Sequence, residues 1–296
     1  MEEAYLNING IPTHIITWGK WVQDSLSDTN EVIICVTGNP GTPGYYIDFL
    51  TKLYHDMKGE TPIWLIGHAG HDDPPSSSLR QVPDLADSEK RFDLNGQIAH
   101  KVDFIEHFVP SHVNIKLIGH SVGCWMILKL LKQRSDIKNQ VKMCYLLFPD
   151  IGGRHNESGW GDSLFWRSVV LLLGLFFELP DFVKLITVTY IVRFLSISPC
   201  FVKSFLKNIS PTVIEKVEFL KRILDKEPEQ VDVEFIRENM GILKFYCGQT
   251  DKDTLKALEG LVPEDNLNVD QFGIGEHFTI YNSFAMAEEI RKMILN

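Results

Sequence analysis

The strongest constraint on the fold is an alternation of short apolar runs with longer amphipathic stretches along most of the chain. The short runs have the length of buried strands, and the longer stretches repeat apolar residues at helical spacing. Strand–helix–strand units align their strands in parallel and cover the sheet with helices. We therefore predict an α/β fold with a mainly parallel central sheet. The predicted strands are 31–36, 62–66, 113–118, 141–148, 242–247 and 266–272, the predicted helices are 45–57, 94–108, 122–133, 212–226 and 278–295, and 79–92 is predicted as a surface loop.

Composition narrows the class of partner. The chain has 296 residues, 44% of them hydrophobic and 23% charged, which is ordinary for a folded globular protein. Its net charge is −10, from 29 Lys and Arg against 39 Asp and Glu. Nucleic-acid binding needs a basic face, so no nucleic acid is expected as a partner. The five cysteines include no C-x-x-C pair and the N-terminus has no secretory pattern, which predicts reduced thiols in an intracellular protein.

Residues 119–123 read Gly-His-Ser-Val-Gly and fit the pattern G-x-S-x-G. A predicted strand runs into this pentapeptide and a predicted helix runs out of it. That setting is typical of a nucleophile elbow, a sharp turn that holds a strained serine with its hydroxyl above the sheet edge. The flanking glycines leave no side chain to clash with the neighbouring strand and helix. We predict Ser121 as a catalytic nucleophile; the alternative is a serine that only caps the helix.

A serine nucleophile needs a general base, and the base needs an acid to orient it. In an elbow-type hydrolase the chain order is serine, acid, histidine. His277 is the last histidine of the chain, and it follows a Gly-rich loop. Asp251 follows the predicted strand 242–247. We predict His277 as the base and Asp251 as the orienting acid, with Asp150 and Asp253 as alternative acids.

An oxyanion hole needs two backbone N–H groups. Val122 supplies one, because it directly follows the serine at a helix N-terminus. The second is expected from the loop 38–41, Gly-Asn-Pro-Gly, after the first predicted strand. Pro40 has no N–H, so we predict Asn39 as the donor, against the alternative that this loop is a tight turn without a catalytic part. His120 is expected to pack or to form a hydrogen bond.

His68 and His71, with Asp72 and Asp73 beside them, suggest a metal site at first sight. A His-x-x-His pair without a third ligand pattern is weak support for zinc. We therefore predict no metal and no cofactor.

The segment 164–206 departs from the strand–helix pattern. It holds 28 apolar or aromatic residues out of 43. Its longest uncharged run is 168–177 and another is 185–192, both shorter than the roughly 20 residues that a membrane span needs. We predict that 1–150 and 212–296 form the core and that 151–211 is an inserted helical cap. Apolar and aromatic residues with sparse basic ones favour contact with a lipid interface, against a cap that only lines an acyl pocket. The predicted membrane contacts are Leu173, Leu175, Phe176 and Phe177.

Seven short motifs are spread along the chain: Gly38-Asn39-Pro40-Gly41, Gly67-His68-Ala69-Gly70-His71, Leu94-Asn95-Gly96-Gln97-Ile98, Leu117-Ile118-Gly119-His120-Ser121, Leu146-Leu147-Phe148-Pro149, Tyr246-x-Gly248-x-x-Asp251 and His277-Phe278. In this combination the chain resembles the lipid droplet-associated hydrolase family of the α/β-hydrolase fold. The resemblance covers nearly the whole chain and is weakest from 150 to 238. It implies a serine hydrolase, residence on lipid droplets and endoplasmic reticulum facing the cytosol, and esterase activity on sterol esters or other neutral lipids.

Two functional hypotheses follow. The first is a hydrolase of lipid esters that acts through Ser121, Asp251 and His277. The second is a droplet-bound scaffold or regulator of lipid storage with a weak or vestigial hydrolase site. Labelling of the serine by a fluorophosphonate probe separates the two, because the probe reports an activated serine whatever the substrate.

Overall fold

A computed structural model describes residues 1–75, 81–149, 197–207, 210–226 and 232–295. Its centre is a sheet with the strand order β1-β2-β4-β3-β5-β6-β7-β8. β1 pairs antiparallel with β2 and β2 with β4, whereas β3 to β8 are all parallel. The prediction of a mainly parallel sheet is confirmed. The strands are β1 Glu2–Ile8, β2 Ile11–Trp18, β3 Glu31–Val36, β4 Ile63–Ile66, β5 Asn114–His120, β6 Val141–Leu147, β7 Leu243–Cys247 and β8 Leu267–Val269.

Helices cover both faces of the sheet, and their labels here count only those in the described part of the chain. Short 3-10 turns lie at Pro43–Tyr46, Met240–Ile242 and Glu264–Asn266. The α-helices are α1 Ile47–Asp56, α2 Leu85–Phe92, α3 Leu94–Phe108, α4 Val122–Gln133, α5 Ser135–Gln140, α6 Pro199–Lys207, α7 Pro211–Lys226, α8 Val233–Glu238, α9 Lys252–Leu258, α10 Phe278–Tyr281 and α11 Ser283–Leu295.

The core lies on the two faces of the sheet, because successive side chains of a strand point to opposite sides. In β3, Val32 and Ile34 join the cluster that holds the buried faces of α3 and α4. Ile33 and Cys35 join the opposite cluster, which holds the buried faces of α1 and α11. Each fully buried large apolar side chain contributes about 1.5–3 kcal/mol relative to exposure. Strand β3 is therefore held from both sides, as is β5, the strand that carries the candidate nucleophile.

Most predicted elements are present, with three corrections. The predicted loop 79–92 contains α2, whose polar sequence hides a helix because only Leu85 and Phe92 are buried in it. The predicted last helix is two helices, α10 and α11, which are separated at Asn282. The hairpin of β1 and β2 was not predicted at all, although Asn9 and Gly10 both have positive φ, as a two-residue hairpin turn requires.

The predicted boundary of the insertion falls largely outside the described residues. Between 150 and 211 the structure describes 197–207 and 210–211. The segment 197–207 contains α6, which packs against α1 and the turn that precedes it. The predicted membrane contacts at 173–177 lie outside the described residues.

Candidate active site

Ser121 lies between β5 and α4 with φ 51° and ψ −123°. A non-glycine residue at positive φ costs on the order of 1–3 kcal/mol and persists only where its surroundings enforce it. Two backbone bonds do so here: the Ser121 N–H donates to the Leu147 carbonyl of β6, and the Cys124 N–H donates to the Ser121 carbonyl, both at 3.0 Å. The strand–turn–helix setting expected of the pentapeptide is therefore present.

The two glycines of the elbow allow this turn to pack closely. A Cβ on Gly119 would come within 3.0 Å of the Cys124 backbone in α4. A Cβ on Gly123 would come within 2.6 Å of the Val36 carbonyl at the end of β3. The elbow therefore rests on one helix and one neighbouring strand at distances that only glycine permits.

The three predicted catalytic residues follow three parallel strands. Ser121 follows β5, Asp251 follows β7 and His277 follows β8. The carboxyl ends of parallel strands lie at one edge of the sheet, so the three loops are on the same edge. The alternative acid Asp150, which follows β6, lies outside the described residues.

Asp251 and His277 differ in how they are held. The Asp251 carboxylate caps α9 and accepts the Thr254 N–H at 3.1 Å. The His277 side chain is 57% exposed, with its Nε2 3.5 Å from an oxygen of Glu276. Burial lowers the pKa of His120, and a positive charge on His277 lowers it further. Asp251 thus has one oxygen committed to a helix cap, and His277 lies at the open side of the site.

Sequence reasoning missed Asp270, a buried carboxylate at the end of β8. It accepts the N–H of Phe272 at 3.0 Å, the N–H of Gly275 at 2.9 Å and the hydroxyl of Tyr246 at 3.3 Å. Burial raises the pKa of Asp270, but the backbone N–H bonds outweigh it and the net pKa is lowered. Asp270 therefore folds the loop that carries His277. The only sequence signal was an aspartate just before the Gly-rich segment.

The loop after β3 lies directly against the candidate nucleophile. A Cβ on Gly38 would come within 3.1 Å of the Ser121 Cβ. The Asn39 N–H makes no hydrogen bond with the described residues, and its buried side-chain oxygen has no partner among them. The Val122 N–H belongs to the first turn of α4, where N–H groups have no intrahelical acceptor. Both predicted oxyanion donors thus have N–H groups that α4 and the described loops leave unused.

His68 and His71 are buried beneath this loop, with ring centroids 5.3 Å apart. Burial lowers the pKa of His71 to about 4, although a hydrogen bond from its Nδ1 to the Pro40 carbonyl at 2.7 Å acts in the other direction. Burial also lowers the pKa of His68. Within the described ranges no group of three His, Cys, Asp or Glu side chains is arranged to hold a metal ion. These neutral imidazoles support the loop that contains Asn39.

Comparison with known proteins identifies the family. The profile of the family described as lipid-droplet associated hydrolase matches residues 29–278. The chain belongs to this family. It is 40% identical to the lipid droplet-associated hydrolase of Drosophila melanogaster, over 99% of this chain and 98% of the relative. The proteins of that name from Mus musculus and Homo sapiens are 30% and 27% identical, over 100% and 98% of this chain and 95% and 94% of theirs.

Solved structures with the same fold confirm the predicted α/β-hydrolase architecture of this family member. A laboratory-evolved variant of potato epoxide hydrolase has a TM-score of 0.62 at 13% identity, covering 99% of each chain. A thioesterase domain from the curacin biosynthetic pathway has a TM-score of 0.62 at 14% identity, covering 100% of this chain and 99% of that one. At such identities the likeness concerns the fold alone. None of the described helices is long and apolar enough to cross a membrane.

Proposed function

We propose that this protein hydrolyses carboxylic esters of lipids, sterol esters or other neutral lipids, with Ser121 as the nucleophile. The backbone conformation of Ser121 carries the proposal. Its positive φ at the junction of β5 and α4 is the strain that a nucleophile elbow stores. A serine that only caps a helix has an extended backbone and accepts an N–H through its side chain. Ser121 has a non-extended backbone and makes no such side-chain bond.

The proposed reaction proceeds in two halves. Neutral His277 takes the proton of the Ser121 hydroxyl as its oxygen attacks the ester carbonyl, and the resulting imidazolium protonates the departing alcohol. Water then attacks the acyl-enzyme with His277 again as the base, the bond between the acyl carbon and the Ser121 oxygen breaks, and the imidazolium returns its proton to that oxygen as the carboxylic acid leaves. Asp251 orients the imidazole and stabilises its charge. The N–H groups of Asn39 and Val122 bind the oxyanion of both tetrahedral intermediates. This mechanism uses no metal and no cofactor.

Labelling with a fluorophosphonate probe tests this proposal. Ser121→Ala and His277→Ala should abolish labelling while the fold is retained, because they remove the nucleophile and the base. Asp251→Asn should slow labelling on the order of 10²–10⁴-fold, because the imidazole loses its orientation. If the folded wild-type protein is not labelled, the hydrolase proposal fails and the scaffold or regulator hypothesis takes its place. If Asp150→Asn is the damaging change instead, Asp251 is not the acid.

We further propose that the protein acts on the surface of lipid droplets and of the endoplasmic reticulum, facing the cytosol. The names of its relatives and the apolar segment 164–206 support this location. The proposed contacts are Leu173, Leu175, Phe176 and Phe177, in the longest uncharged run of that segment. Each contributes roughly 1.5–3 kcal/mol when fully buried, so four side chains suffice for interfacial attachment without a span.

Changing those four residues together to Ser should release the protein from droplets to the cytosol, as measured by fractionation or by imaging of a fluorescent fusion. Probe labelling of Ser121 in detergent should survive, because the elbow belongs to the sheet. A matched change of four polar positions in the described part, Lys221, Glu234, Lys256 and Glu264 to Ser, should leave the protein on droplets. Retention of the apolar variant on droplets would place the attachment elsewhere.

A further inference from the structure

His120, the residue before the candidate nucleophile, lies at the centre of a hydrogen-bond chain that joins three loops of the site. It is the last residue of β5 and only 8% exposed. Its Nε2 is 3.0 Å from the Glu276 carbonyl oxygen, and its Nδ1 is 2.7 Å from the Tyr46 hydroxyl. The Tyr46 oxygen in turn accepts the Gly38 N–H at 2.7 Å.

The donors and acceptors of this hydrogen-bond chain can be assigned in only one direction. A carbonyl oxygen only accepts, so the His120 Nε2 must carry a proton and donate it to Glu276. In the neutral ring Nδ1 is then an acceptor, so the Tyr46 hydroxyl donates to it. The Tyr46 oxygen keeps a lone pair for the Gly38 N–H. Every polar atom of the chain is satisfied in this one arrangement.

Burial keeps both side chains neutral and the direction fixed. It lowers the pKa of His120 to about 4, against the opposing effect of the Glu276 carbonyl. It also raises the pKa of Tyr46 well above the usual value for tyrosine. Near neutral pH His120 is therefore an uncharged donor and acceptor, and Tyr46 remains a donor. An uncharged ring beside His277 also avoids repulsion when His277 becomes protonated during the reaction.

Each end of the hydrogen-bond chain lies one residue before a proposed catalytic group. Gly38 precedes the oxyanion donor Asn39, and Glu276 precedes the base His277. His120 itself precedes Ser121. These three segments are far apart in sequence, and the imidazole connects them through two ring nitrogens and one phenol.

Packing fixes the ring that makes these bonds. Phe278 lies edge-on to the His120 ring with centroids 4.9 Å apart, and Phe148 does so at 6.4 Å. A Cβ on Gly38 would come within 2.9 Å of the His120 Nδ1, so the backbone of the oxyanion loop closes the remaining side. The ring therefore has little freedom to turn away from its two partners.

We propose that His120 is a positioning residue, which holds the oxyanion loop and the loop of the general base in register with the nucleophile. This inference rests on the proposed hydrolase function. It assigns a task to the variable position that precedes the serine in G-x-S-x-G. Errors of about 1 Å in the placement of catalytic groups cost on the order of 10²-fold in rate. His120 has two links, the bond to the Glu276 carbonyl and the connection to Gly38 through Tyr46. Loss of both links should therefore lower turnover strongly without removing any reacting group.

Three variants test the two links, two of them one at a time and the third together. Tyr46→Phe keeps the aromatic ring at position 46 but removes the hydroxyl that connects His120 to Gly38. His120→Asn places an amide near the Nδ1 position, so it keeps the Tyr46 bond and loses the bond to Glu276. His120→Leu loses both links. Tyr45→Phe in the same 3-10 turn, and His100→Gln at an equally buried histidine that bonds Thr13 and Lys101, are the matched controls.

The readouts are the labelling rate per folded protein, and kcat and KM on a short-chain nitrophenyl ester, with Tm measured in parallel. We expect His120→Leu to lower kcat and the labelling rate by about 10- to 100-fold with KM unchanged. Tyr46→Phe and His120→Asn should each lose less. Tyr46→Phe should cost less in the His120→Leu background than in the wild type, because the bond between Tyr46 and His120 is already lost there. The two controls should keep the wild-type kcat even where Tm falls.

The inference is overturned if folded His120→Leu keeps the wild-type kcat and labelling rate. It is also overturned if Tyr46→Phe adds its full loss in the His120→Leu background, or if only KM changes. Should His120→Leu fail to fold, Tyr46→Phe and His120→Asn decide in its place, because they preserve packing around one link each. An unlabelled wild-type protein would instead refute the proposed hydrolase function, a result distinct from all of these.

Discussion

Two aspartates at the same sheet edge are held in ways that suit different tasks. Asp251 caps a helix with one oxygen, as its bond from the Thr254 N–H shows. Asp270 has both oxygens engaged, by the backbone N–H groups of Phe272 and Gly275 and by Tyr246. A carboxylate saturated in this way shapes a loop, whereas one whose second oxygen has no partner among the described residues is suited to orient an imidazole.

Asparagine at the two positions should therefore produce opposite effects. Asp251→Asn should leave Tm nearly unchanged, because Asn caps helices as well as Asp, while labelling slows on the order of 10²–10⁴-fold. Asp270→Asn should lower the free energy of unfolding by about 1.5–3 kcal/mol for each charged hydrogen bond lost, with labelling of the folded protein within about 10-fold of wild type. Urea titration and the labelling rate separate the two. A large labelling loss in a fully stable Asp270→Asn variant would make Asp270 the orienting acid.

At the scale of elements, the turn between β5 and α4 depends on glycines that touch their neighbours. Gly123→Ala would press a methyl group against the Val36 and Thr37 carbonyls at 2.6 and 2.5 Å. Overpacking of this kind costs about 1–3 kcal/mol, and the backbone can relieve it only by moving the elbow. We expect a lower Tm and a slower labelling rate. Gly241→Ala, whose Cβ would meet nothing within 4 Å, should leave both unchanged. Normal labelling of a stable Gly123→Ala protein would contradict this account.

The elements that could be predicted from sequence are those whose signal is local. Strand β3 is a continuous apolar run because both its faces are buried. Strand β2 is equally buried, but it contains Thr13, His14 and Thr17, and no apolar run marks it. Two of these polar side chains are satisfied by distant partners: Thr13 bonds His100 at 2.7 Å, and His14 bonds Asp72 at 2.9 Å. The hairpin signal is the turn Asn9-Gly10 between Ile8 and Ile11, which pair across it.

The same distinction applies to the candidate site. The order of serine, acid and histidine follows from chain connectivity, so the sequence predicts which three loops meet. The parts of Asp270 and His120 depend on bonds between loops, such as His120 to Glu276, which are 156 positions apart. Such bonds leave no periodic signal, so only the three-dimensional structure reveals them.

At the scale of the whole molecule, buried histidines couple stability to pH. Burial lowers the pKa of His71 and of His120 to about 4, and it lowers the pKa of His68 and His100 well below the usual value. The unfolded chain, with histidines near pKa 6.5, therefore binds protons that the folded protein excludes. The part of the stability that these four histidines contribute should be full above about pH 6.5 and should fall as pH drops from 6.5 to 4.

The slope of that fall is the measurable quantity. Each histidine of this kind contributes at most about 1.4 kcal/mol per pH unit to the free energy of unfolding. His14 acts in the opposite sense: its bonds to Asp72 and Glu3 outweigh burial and raise its pKa, so its contribution is lost as pH rises above 6.5. Urea titrations at pH 7.5, 6.5, 5.5 and 4.5 should show the free energy of unfolding falling between pH 6.5 and pH 4.5. His71→Gln should reduce the slope of that fall by up to about 1.4 kcal/mol per pH unit. His14→Gln should leave the slope unchanged. A stability that is constant from pH 6.5 to 4.5 would mean that these rings are protonated in the folded protein, and the single direction inferred for the His120 chain would then be lost at mildly acidic pH.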